Sequence, residues 1–319
     1  MLKIATVLPY KENYTSKDAG AVSLWVKDFY KYKKENIKNT IFGNTKYKNY
    51  LIKNYKNVYI SSLNSKLFSS TVEYSKNLTK IFNKNKYDII EVHNRPNVFL
   101  NLIKKVNSKY ILYLHNDPRS MKGSKTINER LEILKKVDKI IFISKWVKKK
   151  FFENLNYNDD SKCEIIYHSI EPELKRPAKI KRIVFIGKLN ESKGYDLYCA
   201  AVKNILNKYQ DWKAYSIGDE RRQKIYSEHK NHFNLGYVPH KKVLEFLNKT
   251  EIAIVPSRWE EPFGRTALEA SSRGCATIIS NKGGLPETTN SAIILKNLSK
   301  NELIKKIDYL IKNKKKRND

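Results

Sequence analysis

The chain has 319 residues, of which 40% are hydrophobic, and a formal net charge of +31. This length suggests two domains of ordinary size, and 21 Tyr and 12 Phe supply enough apolar surface for folded cores, which excludes a wholly disordered chain. No apolar run reaches the roughly 20 residues needed to cross a bilayer. Residues 1–10 lack a small-residue cleavage site and predict a first strand, not a signal peptide.

The positive charge is mostly lysine, with 52 Lys and 11 Arg spread along the whole chain. Proteins that read nucleic-acid bases rely on arginine forks, so two interpretations stay open: a biased composition without functional meaning, and a surface attracted to polyanions or anionic lipid. Cys163, Cys199 and Cys275 lie far apart in the sequence, close to apolar residues. This spacing favours buried thiols of a cytoplasmic protein over a disulfide framework or a metal knuckle.

In the first half of the chain, short apolar runs alternate with amphipathic ones. We predict strands at 2–8, 40–43, 58–61, 88–92, 110–114, 139–143 and 164–167, and helices at 22–32, 67–82, 98–106, 127–137 and 146–154. Near-continuous apolar strands separated by helices are typical of a parallel sheet that is covered on both faces. Residues 1–170 are therefore predicted to form a doubly wound α/β domain.

A linker and a second domain of the same class are predicted next. Residues 171–180 contain two prolines and mixed charge without periodicity, which indicates a linker, and residues 181–319 restore the alternation. We predict strands at 183–186, 214–217, 233–235, 252–255, 276–279 and 292–295, helices at 195–206, 241–248, 265–273 and 301–311, and a frayed, solvated basic tail at 312–319. Such sheets bind ligands at the carboxyl ends of their strands, and a cleft between two domains is the expected site.

The segment after the predicted strand at 252–255 carries the strongest chemical signal. A loop with Pro262 and Gly264 leads into a helix, whose N-terminal N–H groups suit a phosphate or diphosphate. On that helix Glu269 has small neighbours, and one carboxylate can accept hydrogen bonds from both hydroxyls of a vicinal diol such as ribose. Glu261 lies in the loop, where a transferred group would be. The alternative is a surface helix with two solvated glutamates.

This segment resembles the donor-site motif of glycosyltransferase family 4. The similarity lies in Glu261 and Glu269, separated by seven residues, and continues in residues 274–287 and 185–194. The family consists of retaining glycosyltransferases of the GT-B fold, in which two doubly wound Rossmann-like domains face each other across a cleft. The resemblance implies an acceptor-side domain at 1–170 and a domain that binds a nucleotide sugar at 181–319.

Two cations in the loop after the predicted strand at 183–186 are placed to neutralise a leaving diphosphate. They are Lys188 and Lys193, and preorganised charge of this kind often contributes more to catalysis than any other single effect. The family usually has Arg at the first position, whereas Lys188 offers a point charge instead of a fork. Both lysines could also be surface residues of a Lys-rich chain. The donor-binding residues that the resemblance implies are Gly20, Lys188, Lys193, Phe263, Gly264, Arg265 and Glu269.

In the first domain, Gly20 follows the first strand and would let backbone approach a ligand, although a plain turn before a helix is an equal alternative. The family usually has a Gly-Gly pair here, and this chain has Ala beside Gly20.

Two further predicted strands end in His-Asn, at His93 and His115. By resemblance, His115 matches a histidine beside the transferred sugar and is catalytic together with Glu261, while a core position is the alternative for His93. The predicted acceptor-side residues are His93, Asn94, Arg95 and Asn116.

Neither a cofactor nor a metal is expected. No Asp-x-Asp sequence ends a predicted strand, and Asp159 and Asp160 lie in a polar, Asn-rich loop. Lysine side chains and a helix dipole would then take the place of a cation at the diphosphate. The partners implied are a UDP- or GDP-linked sugar and a glycan or lipid-linked acceptor, without nucleic acid.

The function implied is metal-independent transfer of a sugar, with retention, from a nucleotide-diphosphate sugar to a hydroxyl of such an acceptor, as in bacterial glycosyltransferases of cell-surface polysaccharide and lipopolysaccharide. The alternatives are a sugar-nucleotide epimerase of GT-B architecture, a non-catalytic relative, and a basic nucleic-acid-binding protein, for which no recognition motif is present.

Two basic segments with aromatic residues, at 25–34 and 146–152, suggest docking on the cytoplasmic face of an anionic membrane. The alternative is a pair of ordinary amphipathic helices whose Trp side chains face the core. We expect a cytoplasmic protein, with peripheral membrane binding as an open possibility.

Overall fold

The computed structural model describes residues 1–16, 18–61, 69–157, 159–171, 173–174, 177–223, 225–226 and 229–318. The chain divides into two compact units, unit 1 (Met1–Ser169) and unit 2 (Ile170–Asp319). Described residues of the predicted linker are bonded within unit 2. The Arg273 guanidinium donates to the backbone oxygen of Glu171 at 2.7 Å, and Lys179 Nζ donates to that of Leu247 at 3.1 Å.

Unit 1 is built on one parallel sheet. Its described strands are β1 (Leu2–Val7), β2 (Ile37–Gly43), β3 (Tyr55–Asn57), β4 (Ile89–His93), β5 (Lys109–Leu114), β6 (Lys139–Phe142) and β7 (Cys163–Ile165). Its described helices are α1 (Ala21–Lys31), α2 (Ser70–Lys84), α3 (Pro96–Leu102), α4 (Ile127–Lys136) and α5 (Lys145–Phe152). The strand order is β3-β2-β1-β4-β5-β6-β7, and every pair is parallel.

Unit 2 is built in the same way. Its described strands are β8 (Ile180–Ile186), β9 (Lys213–Ile217), β10 (His232–Asn234), β11 (Thr250–Val255), β12 (Ala276–Ser280) and β13 (Ile293–Leu295). Its described helices are α6 (Tyr195–Lys208), α7 (His240–Asn248), α8 (Arg265–Ser272), α9 (Lys300–Lys312) and α10 (Lys314–Asn318). The strand order is β10-β9-β8-β11-β12-β13, again with parallel pairs.

The two sheets share one topology, because in each the first strand lies in the middle and the order reverses beside it. The reversal falls between β1 and β4 in unit 1 and between β8 and β11 in unit 2. A doubly wound sheet opens a crevice at this point, beyond the carboxyl ends of its strands. The predicted doubly wound α/β architecture is confirmed in each unit.

Helix α1 covers one face of the unit 1 sheet with side chains at helical spacing. Val22, Trp25 and Val26 are buried, and Trp25 keeps only 1% of its surface exposed. Trp25 therefore faces the core and is not available for insertion into lipid, so the amphipathic-helix alternative holds for this segment.

The predicted strand at 58–61 is wrong. The third strand is β3, in which Tyr55 pairs with Ile41, and Val58 already lies past its end. Tyr55 is buried, and its hydroxyl donates to Thr45 Oγ1 at 2.8 Å. This strand is short, and Tyr55 is the only one of its residues that is buried. The predicted helix at 67–82 starts at Ser70 in the structure, and its first two positions lie outside the described residues.

The prediction of a solvated tail is wrong at Arg317. Residues 314–318 form α10, and the Arg317 guanidinium contacts Glu251 Oε2 at 2.5 Å and lies 5.5 Å from the centre of the Trp212 ring. An acidic and an aromatic partner far away in sequence fix this side chain, which local charge alone does not predict. None of the helices that the structure describes has both the length and the apolar character needed to cross a lipid bilayer.

Candidate functional site

Two loops meet at the carboxyl ends of β8 and β11. The N–H groups of Arg258 and Trp259, after β11, donate to the backbone oxygen of Ser192, after β8, at 3.0 and 2.9 Å. Gly194 caps α6 with a φ of +74°, and a Cβ there would lie 2.0 Å from the backbone oxygen of Pro256. Only glycine allows this approach, because a side chain would collide with the neighbouring loop. The loops of the predicted donor site therefore form one continuous surface.

Lys193 and Glu261 contact each other on this surface. Lys193 Nζ donates to Glu261 Oε1 at 2.6 Å, and the two side chains are 30% and 13% exposed. The structure thus brings together a cation assigned to the diphosphate and a carboxylate assigned to the sugar. Lys188 lies in the same loop, and among the described residues no carboxylate pairs with it. It is available to a ligand in solution.

The loop before α8 is held by the residues that follow β12. Gly264 caps α8 with a φ of +110°, and a Cβ there would lie 2.2 Å from Leu285 Cδ1. Phe263 is buried, and the N–H of Gly284 donates to the backbone oxygen of Glu261 at 2.6 Å. The Pro-Phe-Gly segment is therefore a fixed turn that presents the N-terminus of α8.

Glu269 lies on α8 and is 5% exposed. Its Oε1 accepts a hydrogen bond from Arg265 Nε at 2.7 Å and another from His240 Nε2 at 2.8 Å. Burial alone would raise the pKa of Glu269, but these two donors outweigh it and hold the pKa below its ordinary value. The carboxylate is therefore ionised at neutral pH, so both of its oxygens act only as hydrogen-bond acceptors.

His240 is the site residue that the sequence reasoning missed. It is the first residue of α7, directly after Pro239, and its partner Glu269 comes 29 residues later. The sequence around His240 contains nothing that indicates Glu269 as its partner. Arg265, in contrast, was predicted to bind the donor, and in the structure its Nε orients Glu269.

In unit 1, the N-terminus of α1 is occupied by a carboxylate of the chain itself. Glu12 Oε2 accepts from the backbone N–H of Ser23 at 3.2 Å, and a Cβ on Gly20 would lie 2.3 Å from that oxygen. Burial raises the pKa of Glu12. Gly20, predicted to let a ligand approach, makes room for Glu12, so a ligand would have to displace this side chain.

The two predicted site histidines belong to a buried chain of three imidazoles. His93 Nδ1 lies 3.0 Å from His115 Nε2, and His115 Nδ1 lies 3.2 Å from His168 Nε2. All three rings contact Trp25, and His93 and His115 are 0% and 4% exposed. Both ring nitrogens of His115 are engaged inside unit 1, so contact with a substrate requires one of these bonds to be exchanged. The assigned roles of His93 and His115 stay predictions.

One end of this chain faces a buried carboxylate. His93 Nε2 lies 4.0 Å from Glu91 Oε2, which accepts hydrogen bonds from Thr6 Oγ1 at 2.7 Å and from the Tyr30 hydroxyl. Burial lowers the pKa of His93 and places that of His115 well below its ordinary value. The imidazoles of His93 and His115 are therefore neutral in the folded protein at neutral pH.

The other predicted acceptor-side residues lie around the ends of β4 and β5. Asn94 has a φ of +54°, and its Oδ1 accepts from the backbone N–H of His115 at 3.1 Å. Arg95 donates to the backbone oxygen of Asn94 at 2.8 Å, and Asn116 is exposed. Asn94 thus links the two strand ends. Across the described part of the chain, no group of three or more His, Cys, Asp or Glu side chains is arranged to hold a metal ion.

Two family models match the chain. Residues 168–319 match "Glycosyl transferases group 1", and residues 41–174 match "Glycosyltransferase Family 4". A similar curated protein, an uncharacterised 42.6 kDa protein in the cps region of Klebsiella pneumoniae, is 32% identical over 55% of this chain and 46% of its own length. The chain spans about half of the length of the curated relatives it matches.

Solved structures resemble the whole chain. Sucrose-phosphate synthase from Thermosynechococcus elongatus has a TM-score of 0.77 and 16% identity, covering 100% of this chain and 92% of that one. HepE from Anabaena, in complex with UDP-glucose, has a TM-score of 0.73 and 13% identity, with the same coverage of 100% and 92%. At sequence identities of 16% and 13%, the similarity to these two structures shows a shared fold and nothing more.

Proposed function

We propose that this chain, which belongs to the family 4 glycosyltransferases and has their GT-B fold, transfers a sugar from a nucleotide-diphosphate sugar to an acceptor hydroxyl. The observation that carries the proposal is the arrangement around α8 in unit 2. There an ionised, buried Glu269, a fixed helix N-terminus and the Lys193–Glu261 pair lie on α8 and in the loops that follow β8 and β11.

Each of these groups has a place on a nucleotide sugar. Glu269 accepts the ribose hydroxyls, and the N–H groups at the start of α8 face the diphosphate, where the helix dipole favours negative charge. Lys188 and Lys193 add positive charge as the diphosphate leaves. Glu261 orients the sugar, and a phosphate that takes over Lys193 would release the Glu261 carboxylate for that purpose.

The finer features of the reaction are proposals of the same kind. We assign donor binding to unit 2 and acceptor binding to unit 1, with His115 and Glu261 as the catalytic pair and retention at the anomeric carbon. The positive groups at the diphosphate are side chains and a helix N-terminus, which supports a reaction without a metal. HepE is described as a complex with UDP-glucose, which supports a UDP-sugar as the first donor to test.

The relatives and the charge of α5 support a proposal for the acceptor and its location. The Klebsiella relative is described as a protein of a cps region, which supports a glycan or lipid-linked acceptor of cell-surface polysaccharide. Helix α5 carries four lysines, among them Lys145 and Lys149, which are exposed. Such a surface supports peripheral binding to anionic lipid on the cytoplasmic face of a membrane.

Nucleotide binding tests the proposal directly. We expect one of UDP, GDP and ADP to raise the midpoint of thermal unfolding of the full chain, because a ligand that binds only the folded state stabilises it. Glu269→Ala should weaken binding of that nucleotide about tenfold or more, since hydrogen bonds to a charged group are lost. Isothermal calorimetry gives the dissociation constants.

Glu245→Ala is the matched control, because Glu245 lies on α7, is exposed and pairs with Lys242 at 2.7 Å. It should bind the nucleotide as the parent chain does. The proposal is wrong if none of the three nucleotides binds, or if Glu269→Ala binds as tightly as the parent.

A further inference from the structure

One oxygen of Glu269 is saturated by the protein. A carboxylate offers four acceptor positions, two on each oxygen. Arg265 Nε and His240 Nε2 both donate to Oε1, at 2.7 and 2.8 Å, so the two positions of Oε1 are taken. Among the described residues no side chain donates to Oε2. The two positions on Oε2 match the two hydroxyls of a vicinal diol.

Backbone hydrogen bonds and packing fix the turn of α7 that carries His240. The backbone oxygen of Pro239 accepts from the N–H groups of Lys242 and Val243 at 2.8 and 3.1 Å, which fixes the first turn of α7. Val243 and Leu247 on the same helix are buried in a cluster that includes Ala270 of α8. Helices α7 and α8 therefore pack together, and this packing keeps the backbone of His240 close to Glu269.

Arg265 and His240 reach Oε1 from different elements. Arg265 lies one helical turn before Glu269 on α8, whereas His240 comes from α7. A single donor fixes the position of one oxygen but leaves the carboxylate free to turn about that contact. Two donors from two elements also fix the plane of the carboxylate, and with it the direction in which Oε2 points.

We propose that His240 is a positioning residue for recognition of the donor ribose. Together with Arg265 it saturates Oε1 of Glu269 and directs Oε2 to the 2′- and 3′-hydroxyls. This inference rests on the proposed function. It adds His240 to the donor site and assigns Oε1 of Glu269 to protein donors and Oε2 to the ribose. His240 itself touches no substrate in this scheme, so its loss affects discrimination of the ribose more than contacts to the diphosphate.

The test compares a ribonucleotide with its 2′-deoxy analogue. The probe is whichever of UDP, GDP and ADP binds the full chain most tightly, and both dissociation constants are measured by calorimetry. We expect the parent chain to prefer the ribonucleotide about tenfold, since a site that bonds a hydroxyl rejects a ligand that lacks it. His240→Ala should reduce this preference to about twofold.

His240→Gln distinguishes positioning from a structural role. Its amide can donate to Oε1 from nearly the same place, so we expect it to recover a preference within about threefold of the parent. His229→Ala is the control in the same unit, because the His229 ring accepts a hydrogen bond from the backbone N–H of Asn231, at 3.1 Å, and does not contact Glu269. Thermal unfolding without nucleotide shows whether each variant is folded.

The outcomes separate the role of His240 from the function of the chain. If His240→Ala keeps the parent's preference, or if Gln is no better than Ala, the inference is wrong while the proposed function stands. If Glu269→Ala also keeps that preference, the carboxylate does not read the ribose. If the parent binds no nucleoside diphosphate, the proposed function and this inference fall together.

Discussion

At the scale of single residues, the buried histidines of unit 1 give the fold a defined response to acid. Burial lowers the pKa of His93 and His115 in the folded chain, whereas the unfolded chain titrates near pH 6.5. Below that pH the unfolded state binds more protons than the folded state, so the free energy of unfolding falls as the pH falls. Above about pH 6.5 the contribution of these histidines to stability is fully present. The expected slope is up to about 1.4 kcal/mol per histidine per pH unit.

Urea unfolding of the full chain between pH 7.5 and 5 measures this loss. His115→Gln should make the dependence on pH shallower, because one buried imidazole is removed. Equal slopes for His115→Gln and the parent would contradict the assignment of the acid response to this chain of imidazoles.

The sequence predicted those residues of the candidate site that neighbouring sequence features mark, and missed those that only distant partners mark. Glu261 and Glu269 stand out because a Pro-Phe-Gly loop and a helix start lie between them. His240 and Glu12 do not stand out, because each acts through a partner that only the folded chain brings near. His115 stands out because it follows a predicted strand, but the bonds of its ring nitrogens to histidines from other segments were not predictable.

At the scale of elements, the contact between the loops after β8 and β11 depends on a missing side chain. Gly194→Ala would place a Cβ 2.0 Å from the backbone oxygen of Pro256 at a φ of +74°. We expect this variant to lose about 3 kcal/mol or more of stability, from overpacking and from left-handed strain together. Urea unfolding measures the loss.

Gly236→Ala separates these two causes. Gly236 has a φ of +63°, but a Cβ there would meet nothing within 4 Å. It should cost only about 1 to 2 kcal/mol, from backbone conformation alone. Equal losses in the two variants would show that close packing of the loops contributes nothing.

Element type was predictable from hydrophobic patterning, and element ends were not. Apolar residues predominate in β1, β4, β5 and β6, and each of these strands lies within one or two residues of its predicted place. Short edge strands carry fewer apolar residues, and the third strand was predicted in the wrong place because β3 buries only one residue, Tyr55. Helix α3 stops at Leu102, short of the predicted end at residue 106.

At the scale of the whole molecule, the charge of +31 predicts salt-sensitive binding to anionic surfaces. We expect the chain to sediment with vesicles that contain anionic lipid at low salt, and to dissociate at high salt. Lys145→Glu with Lys149→Glu should weaken sedimentation several-fold if α5 leads the contact. Each exposed lysine near a membrane is worth about 1 kcal/mol.

The matched control is Lys305→Glu with Lys306→Glu, which makes the same change of charge on α9. It should weaken sedimentation only slightly. If both pairs have the same effect, net charge and not α5 determines the binding. If the parent chain does not bind at low salt, the membrane proposal is wrong.

The position of Trp25 makes the histidine chain visible to spectroscopy. Its ring lies 5.6, 5.4 and 5.9 Å from the rings of His93, His115 and His168, centre to centre. A proton taken up by any of them would place a cation beside the indole and perturb its excited state. Trp25 is thus an intrinsic fluorophore at the centre of the titrating group. Its share of the emission, obtained by comparing the parent chain with Trp25→Phe, can follow protonation with no probe attached.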